Sequence, residues 1–250
     1  PGVFILRKID IYSASVAFGS GYSDNPGRTL DTNAEDSFFG SVALSAGINT
    51  RIAQQYDAGI NIVASGTEYT RGDAPSNRNL LANAYFGRAI FDGNLYVSAN
   101  ASAGVNTGQK FRNGTGFYNT GVSVSTVRKL SDRIIVRPSV GASRQWSDQS
   151  EQNNYAVTAA TDVIWKPAAK WLVRGQVSYS RRIYDNFFED VTFVERKDSL
   201  IRAGLSVSRQ VNDFIDVSAS VDYADQNSDF FLSTYNAFDA GVSARMTHRF

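Results

Sequence analysis

The stretch from Tyr235 to Phe250 constrains this chain more than any other. Read backwards in steps of two from Phe250, it gives His248, Met246, Ala244, Val242, Ala240 and Phe238. Between them stand Arg249, Thr247, Arg245, Ser243, Gly241 and Asp239. One face is mostly apolar with an aromatic at each end, and the other is charged, hydroxylic or glycine. Strict period-two alternation marks a strand whose two faces meet different surroundings.

The same alternation recurs along nearly the whole chain. It predicts a first strand over Asp10 to Tyr22 and, most clearly, a fifth in which Leu95, Val97, Ala99, Ala101, Ala103 and Val105 alternate with Tyr96, Ser98, Asn100, Ser102, Gly104 and Asn106. A sixth is expected over Tyr118 to Val127, a seventh over Ile134 to Trp146, and an eighth over Tyr155 to Trp165. The count comes to about twelve, with short turns after even strands and longer polar loops after odd ones, as transmembrane barrels have. Asp92-Gly93 is a strong hairpin signal. Asn83 and Arg88 disturb the fourth strand and suggest a bulge. Pro138, inside the seventh, conflicts with a fully paired strand.

Composition narrows the function classes. Zero Cys excludes disulfides, thiolate metal sites and Cys nucleophiles. Twenty-five basic against twenty-four acidic residues give no bulk-charge argument for nucleic acid. No run approaches the roughly 18 apolar residues of a membrane helix, but barrel strands hide half their residues from any averaging window. No signal peptide is visible, so Pro1 reads as a mature or trimmed start.

A soluble sheet carries Lys, Glu and Thr on its wet face; here that face carries Ser, Gly, Asn and Ala with sparse charge. The aromatics gather at strand ends. Tyr22, Phe38, Tyr118, Trp146, Tyr155, Tyr223 and Phe238 fall near the long-loop rim, and Tyr56, Phe91, Trp165, Trp171 and Phe250 near the short-turn rim. Two girdles flanking an aliphatic band match a bilayer. The expected fold is all-β: a single up-and-down antiparallel transmembrane β-barrel of about 12 strands. Residues 9–250 would form the barrel after a short periplasmic lead, 1–8, in the bacterial outer membrane. Trp146, Tyr155, Trp165, Trp171 and Phe250 would be its girdle, and the lipid bilayer with its lipopolysaccharide its surroundings.

Pairing strands through their turns maps the inner wall. Asp162 is expected to face Arg174, Asp216 to face Arg245, and Arg137 to lie near Asp162. Asp222 lies beside Asp239, with Arg202 on the neighbouring strand. Such a ladder either fixes register or forms a charged constriction that sorts solutes. Arg137, Arg174, Arg245 and Arg249 leave a slight basic surplus in the periplasmic half. Twelve strands lie between the filled interior of eight and the wide channel of sixteen.

No catalytic, metal or cofactor site is expected. The one His, His248, is predicted to face lipid and lacks triad partners. Asp222 with Asp239 could form an acid pair, which Arg202 would quench. The loop acids Asp185, Glu189 and Asp190, and Asp225 with Asp229, lack calcium-loop spacing. Asn113-Gly114-Thr115 is a glycosylation sequon without meaning in a bacterial outer membrane.

The closing strand with its terminal Phe resembles that of bacterial outer-membrane barrels, which implies that the assembly machinery reads it. Phe18-Gly19-Ser20-Gly21-Tyr22-Ser23-Asp24-Asn25-Pro26, with Arg196-Lys197-Asp198 to Arg209 and Val217 to Ser228, resembles a family of outer-membrane porins associated with exopolysaccharide export. The resemblance implies a channel for small hydrophilic solutes, saccharides among them, or a polysaccharide export conduit. A non-conducting barrel would instead work through its loops, Tyr22 to Asp36 and Tyr184 to Arg196, the latter with Phe187-Phe188.

Overall fold

The computed structural model describes residues 8–26, 35–52, 55–71, 76–91, 95–107, 114–185, 187–189, 192–194, 196–230 and 233–250. Twelve long strands build one wall. They are β1 (Lys8–Ser23), β2 (Ser37–Ile52), β3 (Tyr56–Tyr69), β4 (Asn77–Ile90), β5 (Leu95–Thr107), β6 (Thr115–Ser125), β8 (Ile134–Ser147), β9 (Asn154–Trp165), β10 (Trp171–Tyr184), β13 (Lys197–Gln210), β14 (Ile215–Ser228) and β15 (Tyr235–Arg249). The short β7 (Arg128–Ser131) follows β6, and a hairpin of β11 (Phe187–Glu189) and β12 (Thr192–Val194) stands in the connection after β10. Each long strand pairs antiparallel with its chain neighbour, β1 pairs with β15, and β6 pairs with β8, so the sheet is a closed up-and-down barrel.

The opening stretch of the sequence argument is one side of the closing seam. β15 runs against β1 from Ser13↔Arg249 to Ser23↔Asp239 without a register break. Tyr12 and Phe250 exchange backbone hydrogen bonds at 3.2 Å, and their rings stack with centroids 6.2 Å apart. The wall is also strongly staggered. A row of cross-strand partners leaves β1 at Tyr12, near the turn rim, and climbs through Ile48, Ile60, Ala84, Ala101, Thr120, Arg144, Tyr155 and Ile183 to Lys197, the first residue of β13 at the loop rim. Closure with such a climb requires strands inclined to the barrel axis.

Pro138 is tolerated for a definite reason. In an antiparallel strand a residue's N–H and C=O point to the same side. The Pro138 carbonyl accepts from Thr126 N at 3.1 Å, so its missing donor also faces that strand. There the ladder has a gap: β6 ends at Ser125 and β7 begins at Arg128, where the sequence predicts one strand to Val127, but the register is the same on both sides, Ser125↔Ser139 and Arg128↔Val136. The ladder between β8 and β9 stays whole. The bulge expected in β4 is absent, since its registers with β3 and β5 are continuous. Arg88 is outward and lies over the Tyr56 ring at 5.1 Å, and Asn83 is inward, so both obey the alternation.

Inside, bulky side chains are accommodated by neighbouring glycines. Tyr85 lies across Gly59, its register partner, and a Cβ on Gly59 would come within 2.5 Å of the ring. Tyr96 covers Gly87 so closely that a Cβ there would overlap its hydroxyl. Replacing Gly87 by Leu should therefore destabilise the barrel by about 1–3 kcal/mol. A lowered urea midpoint in micelles, followed by tryptophan fluorescence, would show it. Gly40→Leu, on the open outer face with nothing within 4 Å, should leave the midpoint unchanged.

Candidate functional site

The outward faces form an apolar belt. Val42, Leu44, Ile60, Ile62, Val122, Val140, Leu205, Val221 and Val242 are all exposed large hydrophobics. Trp146 and Tyr155 stand on this outer face at the loop side, and Trp165, Trp171 and Phe250 at the turn side. His248 also faces outward, between Phe214 (6.1 Å) and Phe250 (5.3 Å). A closed antiparallel barrel that shows aliphatic residues outside and hydroxyl, amide and charged groups inside is an outer-membrane β-barrel.

The inner wall has two unlike halves. On β1 to β6 it is nearly neutral. Register sets Asn61 opposite Asn83, Asn83 opposite Ser102, and Ser102 opposite Asn119, a row of amides and a hydroxyl across four strands. The Tyr85 hydroxyl donates to Asn49 Oδ1 at 2.8 Å, and the hydroxyls of Ser15 and Ser45, and of Ser98 and Ser123, pair at 2.7 and 2.8 Å. The charge on this half is the Arg51–Asp57 ion pair at the turn rim, 2.9 Å.

The half formed by β8 to β15 carries all eight charged residues singled out from the sequence. In the turn half, Arg137 is the register partner of Asp162, and Asp216 that of Arg245. Asp162 Oδ1 accepts from Arg174 Nη2 at 2.8 Å and from Nε at 3.2 Å. The expected direct facing of these two is corrected, however: Gln176 is opposite Asp162, and Arg174 reaches it diagonally from its place opposite Ile164. Counting outward from the turn slips by two because Val173, not Trp171, pairs with Trp165. Arg174, Asp216 and Arg245 share a hollow of about 680 Å³ with Ser206, Ser218 and Ser243. Nearer the loops, Arg202, Asp222, Asp239 and Gln176 line another of about 440 Å³, in which Asp222 and Asp239 are register partners. The lower tier thus holds three guanidiniums against two carboxylates, and the upper one guanidinium against two.

A third group was not singled out as a site. Asp198, at the loop end of β13, is completely buried. Its Oδ1 accepts from Arg196 Nε (2.9 Å) and Ser228 Oγ (2.6 Å), and its Oδ2 from Arg196 Nη2 (2.6 Å) and Gln226 Nε2 (3.3 Å). Arg196 also lies over the Tyr184 ring at 4.4 Å. Beside this network Asn25 is buried and donates to the Asn236 carbonyl at 2.8 Å, while Asp24 Oδ1 accepts from Phe238 N at 2.7 Å. The two stretches that carry the porin resemblance therefore contain the pins of the loop rim.

Asp185 is held by Arg144 through two hydrogen bonds, one of 2.6 Å, and among the described residues no His, Cys, Asp and Glu group could hold a metal. Hydrogen bonding to Arg144 holds the Asp185 carboxyl below the usual carboxylate range; partial burial opposes this and charge attraction adds to it. The side chains of Phe187, Phe188 and Glu189, and residues 1–7, Asp92, Gly93, Asn113 and Asp190, lie outside the described residues.

No protein-family model and no curated protein matches the chain. Its fold is similar to that of the COG4313 outer membrane channel from Pseudomonas putida F1, with a TM-score of 0.63 over 99% of each chain at 10% identity. It is also similar to the NanC porin, with TM-score 0.56 and 8% identity over 92% of this chain and 98% of that one. A third likeness is to the β domain of the Bordetella autotransporter BrkA, with TM-score 0.53 and 12% identity over 94% and 98%. At such identities the likeness is one of fold.

Two outcomes are expected here. Asp198→Ala leaves Arg196 without its carboxylate and should cost about 3–5 kcal/mol, with Asp198→Asn milder, measured as the urea midpoint in micelles. A carboxyl lowered in the folded state stabilises at pH values above its unfolded pKa of about 3.9 and loses that contribution as pH falls through the folded value. Carboxyl-carbon NMR should therefore place the Asp185 midpoint below that of a free aspartate, and Arg144→Gln should return it.

Proposed function

We propose that the barrel is an outer-membrane channel passing small hydrophilic solutes, and that neutral polyhydroxylated molecules, saccharides in particular, suit it best. The observation that carries this reading is the pair of oppositely biased charge tiers on one wall, facing a neutral amide and hydroxyl wall. A small ion attracted at one tier is repelled at the other, because charged groups in a narrow passage act at close quarters. A neutral solute meets neither barrier and can exchange water for the hydroxyl and amide partners of β1 to β6. In this reading Arg137, Asp162, Arg174, Asp216 and Arg245 form the periplasmic constriction, and Arg202, Asp222 and Asp239 the outer one. Passage of a saccharide polymer extends the same idea and rests on the resemblance of residues 18–26 and 196–228 to porins associated with exopolysaccharide export. The closing strand, β15, would be what the assembly machinery reads.

The buried pins at the loop end, Asp198, Asn25 and Tyr184, favour a second reading. The wall would then be sealed there, and the barrel would be a non-conducting scaffold for its loops. One experiment separates the two. Planar bilayers containing the refolded protein should show discrete conductance steps, and Arg174→Ala should move the reversal potential toward cation preference by baring Asp162. A silent bilayer, with the protein shown to be folded and inserted, would leave the scaffold reading standing.

A further inference from the structure

The lipid-facing surface of β8 to β13 is unlike the rest of the exterior. At the level of the loop-side girdle it presents two guanidiniums among aromatics. Arg144 faces outward, stacked over Tyr155 at 3.8 Å and Trp146 at 5.5 Å, and shares the one carboxylate of Asp185. Arg181, exposed on the neighbouring β10, donates to Ser199 Oγ at 2.8 Å, and no carboxylate among the described residues pairs with it. The Tyr179 hydroxyl donates to the same Ser199 oxygen at 3.4 Å. A cation on the lipid face of a barrel strand is costly in proportion to its depth, so one in a girdle that no carboxylate among the described residues pairs points to an anion supplied by the membrane.

A second, independent feature lies directly below. An apolar hollow of about 620 Å³ runs across β6, β8, β9 and β10. Val124, Val140, Val177 and Ile201 form its sides, and the small Ala159 lies in its floor. Val124↔Val140, Val140↔Ala159, Ala159↔Tyr179 and Tyr179↔Ile201 are successive register partners. Because the strands are inclined, this row climbs obliquely through the belt to Ile201 and passes Tyr179, two residues below Arg181. A groove of this form, topped by guanidinium and indole, has the polarity that an acyl chain with an anionic head calls for.

We infer that this face is a binding site for one phosphorylated, acylated lipid of the outer leaflet, lipopolysaccharide, with a lipid A phosphate on Arg181 beside Arg144 and one acyl chain in the groove of Ala159. Charge-assisted hydrogen bonds from guanidinium to phosphate supply the head contact, and the indole and phenol rings sit where membrane-interface aromatics sit. The site does not depend on whether the lumen conducts.

The test is lipid retention by the full chain refolded in zwitterionic micelles, measured by native mass spectrometry with lipid A, dephosphorylated lipid A, phosphatidylglycerol or inorganic phosphate added. Wild type should hold one lipid A per barrel and hold dephosphorylated lipid A and phosphatidylglycerol more weakly. Arg181→Gln should weaken lipid A about tenfold, the loss of one charge-assisted contact. Ala159→Trp, which fills the groove, should weaken lipid A while leaving Arg181 in place, and the heat-dependent electrophoretic shift of folded barrels controls for folding. Equal retention by wild type and Arg181→Gln, or equal retention of the dephosphorylated form, would overturn the phosphate contact. Inorganic phosphate displacing lipid A at equal concentration, or phosphatidylglycerol binding as tightly, would overturn the assignment to this lipid.

Discussion

The structure depends on one constraint: in hydrocarbon no backbone N–H or C=O can be left to water, so a sheet that crosses must close. Closure here rests on two junctions, β1 with β15 and β6 with β8. The first is an unbroken ladder ending in the Tyr12–Phe250 exchange. The second carries the one residue that cannot donate, Pro138, and the interruption between β6 and β7 is placed opposite it. The proline and the break are thus one feature. The register is the same on both sides, Ser125↔Ser139 and Arg128↔Val136, so the gap in the ladder is the lost donor of Pro138 itself and the neighbouring pairs close around it.

Closure also creates two solvents for one strand, and that governs side-chain choice. Outside, branched aliphatics need only meet lipid, so they remain exposed without penalty. Inside, the wall curves inward and crowds, which is why Tyr85 and Tyr96 need Gly59 and Gly87 beside them. The charged groups occupy β8 to β15, where opposite partners stand across or diagonal to one another, and the bulky neutral ones occupy β1 to β6. The guanidinium near the tyrosines of β4 and β5, Arg51, follows the same rule, since it is paired with Asp57.

Period-two patterning carried the fold because it is imposed at every residue by the two solvents. Strand count, rim assignment and inner-wall membership could therefore be read directly. What counting could not supply was turn geometry. Pairing β9 and β10 through their turn sets Arg174 opposite Asp162, but the true register lies two residues on, leaving the contact intact but diagonal. Arg88 looked like a fault in β4 because a cation facing outward breaks the hydropathy pattern; stacked on Tyr56 at the rim, it does not break the geometry. Asp198 stayed hidden for another reason. A carboxylate at a strand end next to a loop reads as solvated charge, and nothing local announces that Arg196, Gln226 and Ser228 converge on it from a connection and the neighbouring strand. The two stretches noted for their resemblance did hold these pins, so the signal was present without its cause.

The balance of charge along the lumen follows from register as much as from composition. Asp162 is held by Arg174 from a diagonal position, while Arg137 stands opposite it in register without an ion pair, so the lower tier keeps a positive remainder. At the upper tier the reverse holds, with Asp222 and Asp239 paired across β14 and β15 and Arg202 one strand away. A register shift of two residues on β10 would place Arg174 opposite Asp162 but would displace Gln176, which now lines the upper hollow beside Arg202. The observed register therefore fixes two things together: a lower tier with a positive bias around the Arg174–Asp162 pair, and an amide rather than a charge between the tiers. A passage must bind its solute strongly enough to admit it and weakly enough to release it. In the proposed channel, opposed biases separated by amides and hydroxyls would meet that requirement for a neutral, hydrogen-bonding solute, because neither tier would hold it by net charge.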